Sequence, residues 1–179
     1  MKKIDLGCGN SKKEGFIGVD CLKLSKVDIV QDLNKTPYPF NDSEIDEIWM
    51  NQVLEHLDSP LKIVEEIYRI SKNGAKVTIG VPYFRSFYSI IDPTHSNFFG
   101  VNWFNYFDPE HPFYQRYSYS KAKFKINKIE FDREFKEVSI SFFHRTLIKI
   151  AERKPLFYES RLSHLFPLNS LTFYLTVIK

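Results

Sequence analysis

Apolar residues along the first half of the chain come in short runs, and most of these runs stop at a glycine or a carboxylate. Ile4-Asp5-Leu6 enters Gly7-Cys8-Gly9, Phe16-Ile17-Gly18-Val19 stops at Asp20, and Val27-Asp28-Ile29-Val30-Gln31 stops at Asp32. Runs this short, bounded by turn residues, predict buried strands. Residues 44–50 predict a fourth strand through Ile45, Ile48 and Trp49, and residues 75–81 a fifth, stopped by Pro82. Between these two lies the clearest helix. Ser59 suits an N-cap, Pro60 the first helical position, and Ile63, Val64, Ile67 and Ile70 form one apolar stripe closed by Lys72-Asn73-Gly74. Strands alternating with helices or short crossovers predict an α/β fold with a doubly wound, mostly parallel sheet.

Beyond Pro82 the periodicity is lost and aromatic residues crowd in, from Tyr83, Phe84, Phe87 and Tyr88 to Tyr117 and Tyr119. Prolines at 93, 109 and 112 exclude one long helix there. An aromatic-rich lid or substrate insertion is therefore expected at about 82–120 within a single domain spanning 1–179. Residues 123–132 predict a strand, 143–151 and 156–165 helices separated by Pro155, and 170–178 a last strand. The pattern over 135–142 leaves strand and helix both open.

Composition narrows the class without naming a function. With 179 residues, 43% hydrophobic and 26% charged, the chain is long enough for a substantial core and ordinary for a globular domain. A net charge of +3 with no dense basic run gives no nucleic-acid footprint, and nucleic acid is not expected as a partner. The lysines at 121, 123, 125 and 128 read as a solvated face. Cys8 and Cys21 are too few for a disulfide framework and lack metal-ligand spacing, so no metal is expected. No apolar signal region follows the opening lysines, and no stretch approaches eighteen uninterrupted apolar residues, so a cytoplasmic protein without a membrane span is expected.

Three consecutive strands ending in Asp5-x-Gly-x-Gly, Asp20 and Asp32 bring their carboxyl ends to one crevice, where open α/β sheets bind ligands. A carboxylate after the second strand suits the two hydroxyls of a ribose. A side chain after the third can reach an adenine amino group. The loop lacks the third glycine of the dinucleotide fingerprint, and Asp20 follows Gly7 by only 13 residues, where that fingerprint has roughly 20. Barely one helical turn fits between Gly9 and Gly15, which offers little to a pyrophosphate. These features argue against a dinucleotide oxidoreductase.

Asp5-Leu6-Gly7-Cys8-Gly9, Gly18-Val19-Asp20, Asp32-Leu33 and Asn51-Gln52-Val53-Leu54-Glu55-His56 together resemble class I S-adenosylmethionine-dependent methyltransferases, in particular the small single-domain group acting on small molecules. The resemblance is close over about residues 4–81 and general beyond. It implies a Rossmann-like, seven-stranded sheet whose last strand is antiparallel and inserts between the fifth and sixth. It also implies S-adenosylmethionine as cofactor. Gly7 and Gly9, with Cys8 between them, would pass its methionine end, Asp5 would orient the amino group, Asp20 with Cys21 beside it would bind the ribose, Asp32 and Leu33 the adenine, and Asn51 would line the pocket near the sulfonium. The chain begins at the first strand, without the amino-terminal helices that often cover this family's active site. Substrate recognition is therefore expected from the segment after Pro82.

The acceptor is expected to be a small molecule or a glycan. Candidate bases are His95, in Asp92-Pro93-Thr94-His95, then His111 and Tyr83, since a hydroxyl or amine acceptor benefits from a base near its proton. Candidate substrate contacts are His56, Tyr83, Phe84 and His95. Each histidine also has a plain structural reading as a hydrogen-bonded loop residue. Two rival functions stay open: a cofactor-binding module without catalysis that acts through a partner, and an NAD-dependent oxidoreductase.

Overall fold

The structure, a computed structural model, describes residues 1–133 and 141–179. Seven strands form one sheet in the order β3-β2-β1-β4-β5-β7-β6. They are β1 (Lys3–Leu6), β2 (Ile17–Asp20), β3 (Ile29–Val30), β4 (Ile45–Asn51), β5 (Ser71–Pro82), β6 (Phe124–Phe131) and β7 (Ser170–Val177). β1 to β5 pair in parallel, and β7 lies antiparallel between β5 and β6. This is the Rossmann-like arrangement expected, with the terminal strand inserted as anticipated. Its strand order reverses at β1, between β2 and β4, which places a ligand crevice at the carboxyl ends of those strands.

Ile48, Met50, Val77 and Leu175 are buried and alternate with half-exposed or exposed neighbours, while at Asp5, Gly80 and Thr172 the residues between the buried apolar positions are buried as well. The helix α1 (Pro60–Ile70) buries Ile63, Val64, Ile67 and Ile70 as its stripe predicts. The chain passes from α1 straight into β5 at Ser71, so Lys72-Asn73-Gly74 belongs to the strand and not to a loop. β3 is shorter than its apolar run suggests, because Asp28 is spent on the Gly18 amide (2.6 Å) and Lys12 (2.8 Å).

The two-proline loop before β4 is held from α1. Glu66 accepts the Tyr38 amide (2.6 Å), and Arg69 donates to Glu66 and to the carbonyls of Tyr38 and Phe40. Tyr38 in turn donates its hydroxyl to the Leu33 carbonyl (2.9 Å), which fixes the segment after β3.

The aromatic segment folds as short pieces: α2 (Tyr88–Ile91), a 3-10 turn at Trp103–Tyr106 and α3 (Pro112–Tyr117). Phe99, Phe104 and Phe107 are buried, with the Phe104 ring 4.8 Å from that of Phe173 on β7. After β6, α4 (Phe142–Arg153) is capped by Ser141. The helix expected over 156–165 divides into a turn at Pro155–Phe157 and a π-helical turn at Tyr158–Leu162. The segment left open between strand and helix lies, over 135–140, outside the described residues. Among the described residues no helix is long and apolar enough to cross a membrane.

Candidate active site

The loop after β1 turns because Gly7 and Gly9 adopt φ of 71° and 50°, a region L-residues rarely adopt. Gly7 is also packed too tightly for a side chain, since a Cβ there would stand 2.3 Å from Val53 Cγ2. Asp20 braces the loop from β2. One carboxylate oxygen accepts the Gly9 amide (2.9 Å) and the other the Leu22 amide (3.0 Å). Asp5 is buried beneath the loop and accepts the Lys13 amide (2.7 Å). Burial pushes its carboxyl above the ordinary range, against the pull of the Lys13 amide and charge.

A cavity of about 360 Å³ opens at the carboxyl ends of β1, β2 and β3. Gly7, Asp20, Cys21, Asp32 and Leu33 line it, together with Gln52 and His56. Asp5, Cys8, Gly9 and Asn51 are not among its walls. Asp5 and Gly9 act on the loop itself. Cys8 is buried with its thiol 3.6 Å from the Gly9 carbonyl. The Asn51 Oδ1 lies where a Cβ on Gly80 would come within 2.1 Å, so it fills the space above that glycine. Burial, followed by nearby carboxylates, pushes both thiols up, so neither cysteine is a thiolate nucleophile at neutral pH.

Gln52, which the sequence did not single out, lines the cavity, whereas the neighbouring Asn51 does not. It follows β4 with φ of 54°, a conformation that a non-glycine residue holds only when its surroundings enforce it. Its Nε2 is buried, with no hydrogen-bond partner among the described residues. A buried amide donor of this kind marks a place for a ligand acceptor atom.

A second cavity of about 390 Å³ adjoins the first, and Gln52 and His56 line both. Its remaining walls include Glu55, Asp92, His95 and the start of β7 at Asn169 and Ser170. Asp92 Oδ1 accepts both the amide (2.8 Å) and the hydroxyl (2.6 Å) of Thr94. That hydroxyl has spent its only proton, so at 2.8 Å it accepts one from His56 Nδ1. The Nδ1–H of His95 donates to the Ser89 carbonyl (3.3 Å). Both imidazoles therefore keep the proton on Nδ1 and a lone pair on Nε2. The rings meet edge-on, 4.6 Å between centroids. Burial and the neighbouring His95 hold the His56 imidazolium below its usual range.

The loop bearing His95 is tied to the 3-10 turn Leu54–His56. The amides of Ser96 (3.0 Å) and Asn97 (3.2 Å) donate to the Glu55 carbonyl, and Asn97 Nδ2 donates to Leu57 (2.6 Å). One ligating atom from each of Glu55, His56 and His95 lies within 4.8 Å of the others.

Three other candidates stand apart from this cavity. Tyr83 is fully buried among Phe84, Phe131 and Tyr158, and burial pushes its hydroxyl up to about 12, which rules out a base at neutral pH. Phe84 packs on Tyr83 and Arg85. His111 caps α3, accepting the Phe113 amide on Nδ1 (3.1 Å).

A family model described as a methyltransferase domain matches residues 14–79. An uncharacterized protein of Methanocaldococcus jannaschii is 44% identical over 43 residues, which is 24% of this chain and only 21% of that relative's length. Among solved structures, an Archaeoglobus fulgidus S-adenosylmethionine-dependent methyltransferase superposes with a TM-score of 0.53 at 22% identity, covering 98% of this chain and 85% of its own. A Haemonchus contortus phosphoethanolamine N-methyltransferase, in complex with S-adenosylmethionine, superposes with a TM-score of 0.54 at 16% identity, covering 99% and 49%.

Proposed function

We propose that this chain, which belongs to the class I S-adenosylmethionine-dependent methyltransferases, transfers a methyl group to a small acceptor seated in the cavity beside His56 and His95. One observation carries the reading: two adjoining cavities meet at Gln52 and His56. A donor and an acceptor need such a junction if the transferred group is to pass between them in line. A cofactor module without catalysis would not need the second cavity.

The residues present fit the cofactor. Asp20 and Asp32 supply carboxylates for hydroxyl and amino groups, Gly7 allows close backbone approach, and Gln52 Nε2 offers an unspent buried donor. Bound there, S-adenosylmethionine supplies a methyl group on a positively charged sulfur. The chain's own part is positioning and proton handling. Gln52 and His56 form the floor common to both cavities. The lone pair on His95 Nε2 accepts a hydrogen bond from an acceptor hydroxyl or amine and takes its proton as the new bond forms. The Asp92–Thr94–His56 relay fixes the second imidazole in the same neutral tautomer.

The acceptor belongs among small molecules or glycan units bearing a hydroxyl or amine, by the size of the cavity and the two nitrogen lone pairs in its wall. Transfer of labelled methyl to a panel of such compounds tests this. The wild-type chain is expected to label one class. His95→Ala is expected to lose transfer roughly 100-fold or more, within the usual range for removing a general base, while keeping S-adenosylhomocysteine binding. Labelling unchanged in His95→Ala would refute the assignment.

A further inference from the structure

We infer that Glu55, His56 and His95 form a binding site for a divalent transition-metal ion in the wall of the acceptor cavity. The inference rests on the reading of that cavity given above and deepens it.

Two imidazoles and one carboxylate are a donor set that holds zinc and related ions, leaving coordination positions open to an incoming ligand. Three features of this chain go beyond the choice of residue types. The first is proximity: one ring nitrogen of each histidine and one Glu55 carboxylate oxygen lie within 4.8 Å of one another, although His95 is some 40 residues along the chain from the other two. Ligands about 2 Å from a tetrahedral zinc stand roughly 3.3 Å apart. The cluster therefore needs to contract by about 1.5 Å at most, within reach of side-chain rotation.

The second is tautomer. Both Nδ1 atoms act as donors, His56 to Thr94 and His95 to the Ser89 carbonyl, so both Nε2 lone pairs are available for an ion. A ligating histidine characteristically donates its other ring N–H to a carbonyl or carboxylate system, and Asp92 acting through Thr94 is such a system. The third is support. Glu55 is fully buried, and its own backbone carbonyl receives the Ser96 and Asn97 amides. The element carrying two of the ligands and the loop carrying the third are thus bound together beside the cluster.

The ion fits the borderline class that favours imidazole, with Zn²⁺ as the first choice and Co²⁺ as a spectroscopic stand-in. Its open positions would face the acceptor cavity, where they suit an oxygen or nitrogen atom of the acceptor. With the ion bound, His95 Nε2 is committed to it, so the base role given to His95 above applies to the metal-free chain, and the acceptor atom would be held through the metal instead of by a direct hydrogen bond.

Titration of the metal-stripped full chain with Zn²⁺ against a chromophoric chelator, and with Co²⁺ followed by visible absorption, tests the site. One ion per chain is expected, with the intense d–d bands of low-coordinate Co²⁺. His95→Ala and Glu55→Gln are each expected to weaken binding about 100-fold or more. Thr94→Val, which removes only the support behind His56, should weaken it roughly 10- to 100-fold. S-adenosylhomocysteine binding, measured on the same samples, reports folding and the cofactor cavity separately, because neither His95 nor Glu55 lines that cavity. Should S-adenosylhomocysteine fail to bind the wild type, the methyltransferase reading falls without touching the metal result. Wild-type chain that binds Zn²⁺ no more tightly than His95→Ala, or a Co²⁺ spectrum matching the hydrated ion, overturns the inference.

Discussion

Gly7 and Val53 pack so closely that a single added methyl at Gly7 would stand 2.3 Å from Val53 Cγ2. The contact locks the glycine loop after β1 to the segment after β4, two edges of the cavity lined by Asp20 and Asp32. Gly7→Ala is therefore expected to destabilise the fold by about 2–5 kcal/mol, combining overpacking with the left-handed backbone at φ of 71°. Thermal unfolding checks this. Adding Val53→Ala should restore the steric part and leave the backbone part.

Gln52 combines positive φ with a buried amide donor that has no partner among the described residues, a costly arrangement in the absence of a ligand. Gln52→Leu removes the orphan donor and should raise stability by about 1 kcal/mol. It should at the same time weaken S-adenosylhomocysteine binding. A variant that loses stability and binds normally would show that Gln52 serves packing alone.

His56 gives the fold a pH dependence of definite sign. Burial first, and His95 second, lower its folded pKa from the ordinary 6.5, outweighing the pull of Asp92 and Thr94. The unfolded chain takes up a proton before the folded one does, so the contribution of His56 is complete above about 6.5 and is lost as pH falls through the folded value. Melting temperatures from pH 7.5 to 5.5 should fall more steeply for the wild type than for His56→Gln. Parallel slopes would place the titration elsewhere.

Arg69 reaches across from α1 to the carbonyls of Tyr38 and Phe40, while Glu66 holds the Tyr38 amide. Arg69→Ala leaves the nearly buried Glu66 carboxylate without its cationic partner, with only the Tyr38 amide against it, and should cost about 1–3 kcal/mol in urea unfolding. Because Tyr38 anchors the Leu33 carbonyl, the same variant is expected to loosen the end of the cavity that Leu33 lines and weaken S-adenosylhomocysteine binding there.

The sheet was legible because its strands are written as short apolar runs ending in Gly7, Asp20 and Asp32, a pattern that survives without knowledge of partners. So was α1, whose stripe and proline agree, although Ser59 makes no side-chain capping bond. The site was legible only where it follows a strand end. Asp20, Asp32 and Leu33 line the cavity, whereas Asp5 and Asn51 are not among its walls, since a residue's position on a strand does not reveal which neighbour its side chain will satisfy. Gln52 carries no composition signal, because its significance lies in a backbone angle. The meeting of Glu55 and His56 with His95 depends on a loop folding back onto the 3-10 turn, and no local spacing encodes that return. Tyr83 and His111 matched the chemistry of a base but are used for packing and capping.

The central claim is that the carboxyl ends of β1, β2 and β3 bind S-adenosylmethionine, with Asp20 both bracing the Gly9 amide and facing the cavity. Calorimetric titration of the full chain with S-adenosylhomocysteine tests it most directly. One site per chain is predicted, with Asp20→Ala weakening it at least tenfold, about 1.4 kcal/mol. No detectable binding to the wild-type chain, or undiminished binding to Asp20→Ala, would contradict the account.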